Sequence, residues 1–284
     1  MRGRLKEKSS RMSRSVRFSV VATAMIVFLT LATGCNHLKA RDQLNKGVQA
    51  FKRGRYEEAI NHFQQAVQLD PSLPMTRLYL ATAYSQQVVP NVTTPDNLKN
   101  AELAIDQFQD VLAKNPSDLT SLKGIAQIYF KIGQYDQDRD YQKKIIAIDP
   151  KDAEAYYTVG VIDWTLAYKN ALPVRRSLGL QDNGDAIKDK KACAALQLEN
   201  GPLVQEGLNY LMQAIQIRPS YDDAMAYINL LYRRKAELEC GNDAARLADI
   251  AEANQWTEKA IDARKANESR KNSQSPGGIV LDQK

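Results

Sequence analysis

Residues 56–71 place small and large apolar side chains at helical spacing. In the stretch YEEAINHFQQAVQLDP, Ala59, Phe63 and Ala66 recur every three or four residues, and mostly polar residues separate them. This spacing predicts an amphipathic α-helix with one apolar face. Pro71 ends the helix, because a proline disfavours helical backbone in the residue before it. The stretch therefore predicts a helix that must pack against another element.

The same pattern recurs further along the chain. Four segments close with similar sequences that end in proline: VQLDP at Pro71, LAKNP at Pro116, IAIDP at Pro150 and IQIRP at Pro219. In three of them, small or apolar residues stand 5, 8 and 12 positions before the proline. The segment ending at Pro150 instead has Gln142 and Asp138 at two of these positions, so we expect its helix to pack less tightly.

The spacing of these prolines indicates a repeat. Pro116 and Pro150 are 34 residues apart, and the other two intervals, of 45 and 69 residues, exceed one or two such periods. The pattern resembles the tetratricopeptide repeat (TPR) over about residues 40–265. This resemblance implies an all-α, TPR-like α-solenoid of about five antiparallel helix pairs. Because one pair cannot bury its own apolar face, neighbouring pairs must stack.

The repeat register sets the expected boundaries. We predict first helices near 40–53, 73–88, 119–132, 152–168 and 220–238, and second helices near 56–68, 95–114, 135–148, 202–217 and 243–266. The corresponding repeats cover about 40–73, 74–118, 119–152, 153–220 and 221–266. The remaining ranges are a short tether at 35–39 and a tail at 267–284 whose composition predicts disorder.

Extra residues fall between the two helices of the second, fourth and fifth repeats. We therefore expect inserted loops that project from one edge of the solenoid. The longest insertion lies between Trp164 and Gly207. Loops of this length are usually functional or disordered. The alternative is that the inserted loops have no function and arose by evolutionary drift at positions that tolerate insertions.

The N-terminus has the features of an export signal. Seven basic residues precede an uncharged run of 17 residues, from Phe18 to Gly34. The run is shorter than the roughly 20 residues of a membrane-spanning helix. A basic flank, an apolar run and small residues near its end predict a signal at 1–34 that is later removed. The sequence LATGC resembles a bacterial lipoprotein box, which implies lipid attachment, including palmitate, at Cys35.

One residue departs from the lipoprotein pattern. Ala32 stands where that family usually has leucine. Cleavage by an ordinary signal peptidase and an uncleaved membrane anchor therefore remain alternatives. The expected location is a lipid anchor on the periplasmic face of the cell membrane or the outer membrane. A soluble periplasmic or secreted protein is the alternative.

The net charge does not indicate a nucleic-acid partner. The chain has 39 basic and 33 acidic residues, but its first 34 residues contain seven basic residues and one acidic residue. The remainder is therefore balanced, with 32 of each. A protein that binds nucleic acid through phosphate contacts needs a basic surface. We expect no nucleic-acid partner.

The sequence offers little for catalysis or metal binding. Its two histidines are His37, beside the signal, and His62, on a second helix among polar neighbours. No cysteine and histidine spacing suits a metal, so we expect no metal, no cofactor and no enzymatic activity. Cys193 and Cys240 both lie on the insertion edge, where an oxidising compartment would allow a disulfide. Two separate thiols are the alternative.

The TPR resemblance implies that first helices line a groove for a partner protein or peptide. By register, the groove residues would be Val48, Tyr79, Thr82, Lys123, Gln127, Tyr157, Val161 and Leu230. The resulting hypothesis is a membrane-anchored interaction scaffold of the bacterial cell envelope, which binds its partner through the groove or the inserted edge. An enzyme or an assembly-machine subunit that uses residues 165–200 is the alternative. The oligomeric state is left open.

Overall fold

The computed structural model describes residues 35–73, 75–181 and 186–274. Within these ranges all regular elements are α-helices. The first, α1, covers residues 35–52. The others are α2 (Tyr56–Leu69), α3 (Thr76–Gln87), α4 (Pro95–Leu112), α5 (Leu119–Lys131), α6 (Tyr135–Ile148), α7 (Ala153–Ser177), α8 (Lys190–Ile217), α9 (Asp222–Glu237) and α10 (Asp243–Gln274). The predicted signal at 1–34 and the last ten residues lie outside the described ranges.

These helices confirm the predicted all-α, TPR-like α-solenoid with five helix pairs. Each odd-numbered helix begins a pair, and α3 packs on α4, α7 on α8, and α9 on α10. The chain divides into an N-terminal module that ends at Gly124 and a C-terminal module that begins at Ile125. No helix in the described ranges is both long enough and apolar enough to cross a membrane.

The small and large residues of the repeat pattern set the close approach of the helices. In the N-terminal module, a Cβ atom added to Gly47 of α1 would lie 2.5 Å from the Phe63 ring of α2. Ala59 and Ala66 flank Phe63 on α2, and all three are fully buried. The turn between these helices needs Gly54, whose φ of 73° favours a residue without a Cβ.

The insertion of the fourth repeat is mainly helix and not the long loop expected from the sequence. Helix α7 continues to Ser177, about two turns beyond the predicted end, and α8 begins at Lys190 and not near residue 202. The connection is thereby shortened to residues 178–189. Both extensions bury apolar side chains in the C-terminal module, including Ala171 and Leu196. This local core is the physical reason for the added helix.

Two other predicted boundaries differ from the structure. Residues 35–39, expected to be a tether, form the start of α1. Residues 267–274, expected to be disordered, are the last turns of α10. Asn267 stabilises them because its side-chain amide donates to the backbone oxygen of Ser220 and to Asp222, each at 3.0 Å.

Candidate functional site

The predicted groove residues of the N-terminal module lie mainly on half-buried helix faces. Val48, Tyr79 and Thr82 are half-buried, whereas Lys123 is exposed. Tyr79 stacks on Phe63 with ring centroids 5.7 Å apart. The Thr82 hydroxyl donates to the backbone oxygen of its own helix at Leu78. Tyr79 and Thr82 therefore contribute partly to packing in this module.

The C-terminal module places its predicted groove residues in three different environments. Gln127 of α5 is exposed, and Tyr157 and Leu230 are half-buried. Val161 is only 8% exposed. The prediction of Val161 as a groove contact therefore does not hold, because its side chain is taken up by packing inside the module.

Five aromatic rings form a continuous row along α7 and α9. The ring centroids of Tyr221 and Tyr157 are 4.9 Å apart, and those of Tyr157 and Tyr227 are 5.7 Å apart. Trp164 follows at 5.4 Å from Tyr227, and Tyr168 at 5.3 Å from Trp164. We call these five residues the aromatic row. Pairs at such distances stabilise each other beyond their buried area.

The ends of the aromatic row are covered by arginines. The Arg218 guanidinium lies 4.2 Å from the Tyr221 ring centroid, and that of Arg234 lies 5.7 Å from the Tyr168 centroid. Each arginine also pairs with an acid: Arg218 with Glu154 at 3.7 Å and Arg234 with Glu237 at 3.0 Å. The charges at both ends of the row are thus compensated within the protein.

Burial raises the pKa of three phenols of the row, Tyr157, Tyr221 and Tyr227. It raises the pKa of Tyr157, and nearby Tyr227 and acidic residues add to that shift. Burial also raises the pKa of Tyr221, whose hydroxyl donates to Glu154 at 2.6 Å. These three phenols therefore stay protonated to higher pH than usual, which suits apolar and hydrogen-bonded contacts.

The sequence predicted one member of the row, Tyr157, as a binding residue. It did not predict the other four. Tyr157, Trp164 and Tyr168 follow the spacing i, i+7 and i+11, which places them on one face of α7. That spacing was a detectable signal. The contribution of Tyr227 from α9 depends on how the two helices pack, which the spacing alone does not give.

A partly buried charge network connects α6, α7 and α8. Arg139 of α6 donates to the fully buried Asp163 of α7 at 3.1 Å. Lys143, one turn further on α6, donates to Glu206 of α8 at 2.6 Å. Burial raises the pKa of Asp163 to about 7, the charge of Glu206 adds to the shift, and Arg139 opposes it. The network joins three helices and is internal to the module.

Asp138, which occupies a small-residue position of the repeat, is also fully buried. Burial raises its pKa to about 6, and a hydrogen bond from Gln142 opposes the shift. The two residues that depart from the repeat pattern therefore contact each other. The structure compensates one polar substitution with a second polar residue one turn away.

Cys193 and Cys240 are joined by a disulfide, with their Cα atoms 5.5 Å apart. The bond connects the start of α8 to the turn between α9 and α10. Beside it, Arg175 donates to Glu237 at 2.7 Å, and both side chains are buried. The cross-link and the ion pair together fix the extended α7 and α8 to the last repeat.

The histidines lie in polar contacts of the N-terminal module. His37 Nδ1 is 2.6 Å from Asp70 Oδ2, and His62 Nδ1 is 2.7 Å from Gln43 Oε1. Hydrogen bonds from Ser72 and His37 hold the pKa of Asp70 at about 2. Across the residues that the structure describes, no group of three or more His, Cys, Asp or Glu side chains could hold a metal ion.

A shallow cavity of about 500 Å³ lies between residues of α6, α7 and α8. It is lined by Ile146, Tyr156, Asn209, Tyr210, Met212 and Gln213. The rings of Tyr156 and Tyr210 are 5.8 Å apart at its wall. Its lining combines two phenols with amide and apolar side chains.

Comparisons with known proteins identify the repeat. A TPR repeat model matches residues 47–88, and a second tetratricopeptide repeat model matches residues 97–153. The chain therefore contains TPR repeats, in the region where the sequence pattern is strongest. The first match extends from α1 to the end of α3, and the second from α4 to the start of α7.

One curated relative shares sequence with this chain. The DnaJ homolog subfamily C member 7 homolog of Schizosaccharomyces pombe is 26% identical over 167 residues, which is 58% of this chain. The matched region is 33% of that protein, so the chain spans about a third of the length of this relative.

Solved structures share the fold. A crystal structure of MamA protein aligns with a TM-score of 0.54 and 16% identity, covering 85% of this chain and 98% of that one. A fragment of MamA from Desulfovibrio magneticus RS-1 aligns with a TM-score of 0.53 and 17% identity, covering 80% and 96%. At this identity the likeness shows a common fold.

Proposed function

We propose that this protein is a membrane-anchored scaffold that binds a partner protein or peptide on the helix face carrying the aromatic row. A lipid on Cys35 would hold the chain to a membrane of the bacterial cell envelope. The aromatic row is the observation that carries the binding part of this proposal. No chemical step on the partner is required.

The aromatic row has the properties of a protein-binding surface. Tyr157, Tyr227 and Trp164 are half-buried, so each ring packs on its own module and keeps an exposed part. Rings of this type supply large contact area with little loss of side-chain freedom, and they are frequent among the residues that dominate binding energy. Leu230 lies on the same helix as Tyr227 and adds an apolar contact.

Charge compensation predicts how this surface would bind. Because Arg218 and Arg234 already pair with acids, they offer a partner little additional charge. Affinity would then come mainly from apolar and hydrogen-bonded contacts. Such binding depends weakly on ionic strength, since salt screens exposed charges and leaves apolar contacts in place.

The chemical state and the position of Cys35 support the lipid anchor. Cys35 is exposed and carries no disulfide. It is also the first described residue of α1, directly after the predicted signal. Bacterial lipoproteins, by the resemblance of LATGC, carry several acyl chains on this cysteine, which meets the need for more than one chain in stable anchoring.

Crosslinking with mass spectrometry in intact cells tests the binding proposal. Partners crosslinked near Tyr227 are expected, and the Leu230→Glu variant should lose most of them, because a charge would enter the apolar contact. Leu247→Glu is the matched control, since Leu247 is an exposed apolar residue on α10, a helix that contributes no ring to the row. Equal crosslinking in both variants would contradict the proposed surface.

Palmitate labelling tests the anchor separately. The native chain is expected to incorporate label and to require detergent for extraction from membranes. Cys35→Ser should lose both properties while its helical spectrum stays unchanged. Labelling that persists in Cys35→Ser would exclude this cysteine as the lipid site.

The segment 165–200 gives less support to the enzyme and assembly-subunit hypotheses. In its described part, Cys193 is bonded to Cys240 and Arg175 pairs with Glu237. These groups have structural contacts in place of the paired nucleophile and base that catalysis by this segment would need. The scaffold is therefore the function that the geometry favours.

A further inference from the structure

We infer, on the premise of the proposed lipid on Cys35, that one end of the N-terminal module rests on the membrane surface. This end comprises the start of α1 with Cys35 and Leu38, the connection at residues 70–73, and Met75 before α3. We call it the Cys35 end. Its occupant would be a bilayer that contains anionic lipid headgroups.

The described residues of the Cys35 end are helical from Cys35 onward, with no irregular segment between Cys35 and the rest of α1. Two residues after Cys35, His37 contacts Asp70 at the end of α2 at 2.6 Å. Asp70 in turn accepts hydrogen bonds from the backbone and the side chain of Ser72. A lipid attached to Cys35 would therefore hold this end of the module close to the headgroups.

Two large apolar side chains are exposed at this end. Leu38 is 68% exposed and Met75 is 56% exposed. Leu38 follows His37 on α1, and Met75 immediately precedes α3. Apolar side chains at a membrane-facing surface can enter the boundary between headgroups and acyl chains, which adds to the binding energy of a lipid anchor.

The charges at this end suit an anionic surface. Lys39 and Arg41 are exposed in the first two turns of α1. The acids nearby are paired within the protein: Asp42 with Lys46 and Asp70 with His37, each at 2.6 Å. Basic side chains near anionic lipids strengthen membrane binding.

The opposite end of α3 provides a matched comparison. Val89 is also an exposed apolar residue, at 54% exposure, and it follows the last turn of α3. Because α3 has 12 residues, Met75 and Val89 lie about 20 Å apart along the helix axis. If the Cys35 end rests on the bilayer, Met75 contacts lipid, whereas Val89 and the insertion of the second repeat point away from it.

Quenching by nitroxide-labelled lipid tests this orientation. Single Met75→Cys and Val89→Cys variants of the full chain would be expressed in a bacterial host and labelled with an environment-sensitive thiol fluorophore. Cys35 would carry lipid, and Cys193 is bonded to Cys240, so the introduced thiol takes the label. The purified proteins would be placed in vesicles of phosphatidylethanolamine and phosphatidylglycerol.

Quenching by the nitroxide-labelled lipid is expected to be about threefold stronger at position 75 than at position 89. The difference should not be larger, because lipid-facing side chains enter only the outermost part of the bilayer. Leu38→Glu in the Met75→Cys background should reduce the quenching towards the value at position 89. Equal quenching at the two positions in acylated protein would overturn the orientation and leave the anchor intact. Absence of the acyl mass on Cys35 would overturn both.

Discussion

At the scale of single residues, the most unusual positions are two carboxyl groups inside a helical repeat. Asp138 and Asp163 are fully buried, and their pKa values are raised to about 6 and about 7. A buried carboxylate is tolerated when nearby groups compensate it. Gln142 does this for Asp138, and Arg139 does it for Asp163. Each carboxyl makes the stability of the fold sensitive to pH.

The sign of this dependence follows from the raised pKa of Asp163. Its unfolded value is about 3.8 and its folded value about 7, so the folded chain binds the additional proton between these pH values. The free energy of unfolding should therefore fall as pH rises from about 4 to about 7. Asp163→Asn removes this proton uptake. The fall in the free energy of unfolding between about pH 4 and about pH 7 should therefore become smaller by on the order of 2 kcal/mol.

Denaturant unfolding at several pH values from 4 to 8 measures this effect. Asp136→Asn is a suitable control, because Asp136 contacts the same Arg139 but is mostly exposed. The range stays above pH 4, since the lowered pKa of Asp70 adds a dependence of opposite sign below that value. A pH slope in Asp163→Asn equal to that of the native chain would show that this carboxyl is not the cause.

At the scale of helices, the repeat register predicted the regular pairs and failed where the chain departs from the period. Apolar spacing and terminal prolines gave α2, α5 and α6 closely. The extension of α7 and α8 was missed because Pro173 and Pro202, which lie inside these helices, normally end a helix. Apolar side chains of both extensions pack into one local core, which favours the helix on both sides of these prolines.

The candidate site, like the helix boundaries, depends partly on the spacing of residues along one helix and partly on contacts between helices. Of the residues that the register assigned to the groove on α7 and α9, Tyr157 and Leu230 are half-buried, whereas Val161 is buried inside the module. The row itself joins α7 to α9, and contacts between helices are not encoded in the spacing of either helix alone.

Substitution of one buried amide tests whether contacts between the extensions of α7 and α8 stabilise the fold. Asn200 of α8 is almost fully buried and donates to the backbone oxygen of Ala167 on α7 at 2.8 Å. It also accepts from Asn170 at 3.0 Å. Asn200→Ala would leave these groups without partners and should lower the free energy of unfolding by about 2 kcal/mol.

Asn209→Ala is the matched control on the same helix, because Asn209 is exposed. Its effect should stay within about 0.5 kcal/mol, as is usual for surface substitutions. Thermal or denaturant unfolding of both variants gives the comparison. Similar losses from the two substitutions would mean that the Asn200 contacts do not hold the extensions together.

At the scale of the whole molecule, stacked repeats predict that local changes have local effects. Each repeat contacts mainly its neighbours, so stability is approximately a sum of nearest-neighbour terms. The disulfide between Cys193 and Cys240 closes a segment with a sequence separation of 47 residues within the C-terminal module. By loop-closure entropy, a cross-link of this span stabilises the folded state by about 4 kcal/mol.

Reduction of this disulfide should therefore loosen the last two repeats and leave the first two unchanged. Hydrogen exchange is expected to accelerate at the start of α8 and at residues 239–242, with unaltered protection in α2 and α3. The Cys193→Ala and Cys240→Ala double variant should show the same pattern without reductant and no further change when reductant is added. Faster exchange in α2 and α3 on reduction would mean that the repeats unfold as one cooperative unit, and the cross-link would then stabilise the entire chain.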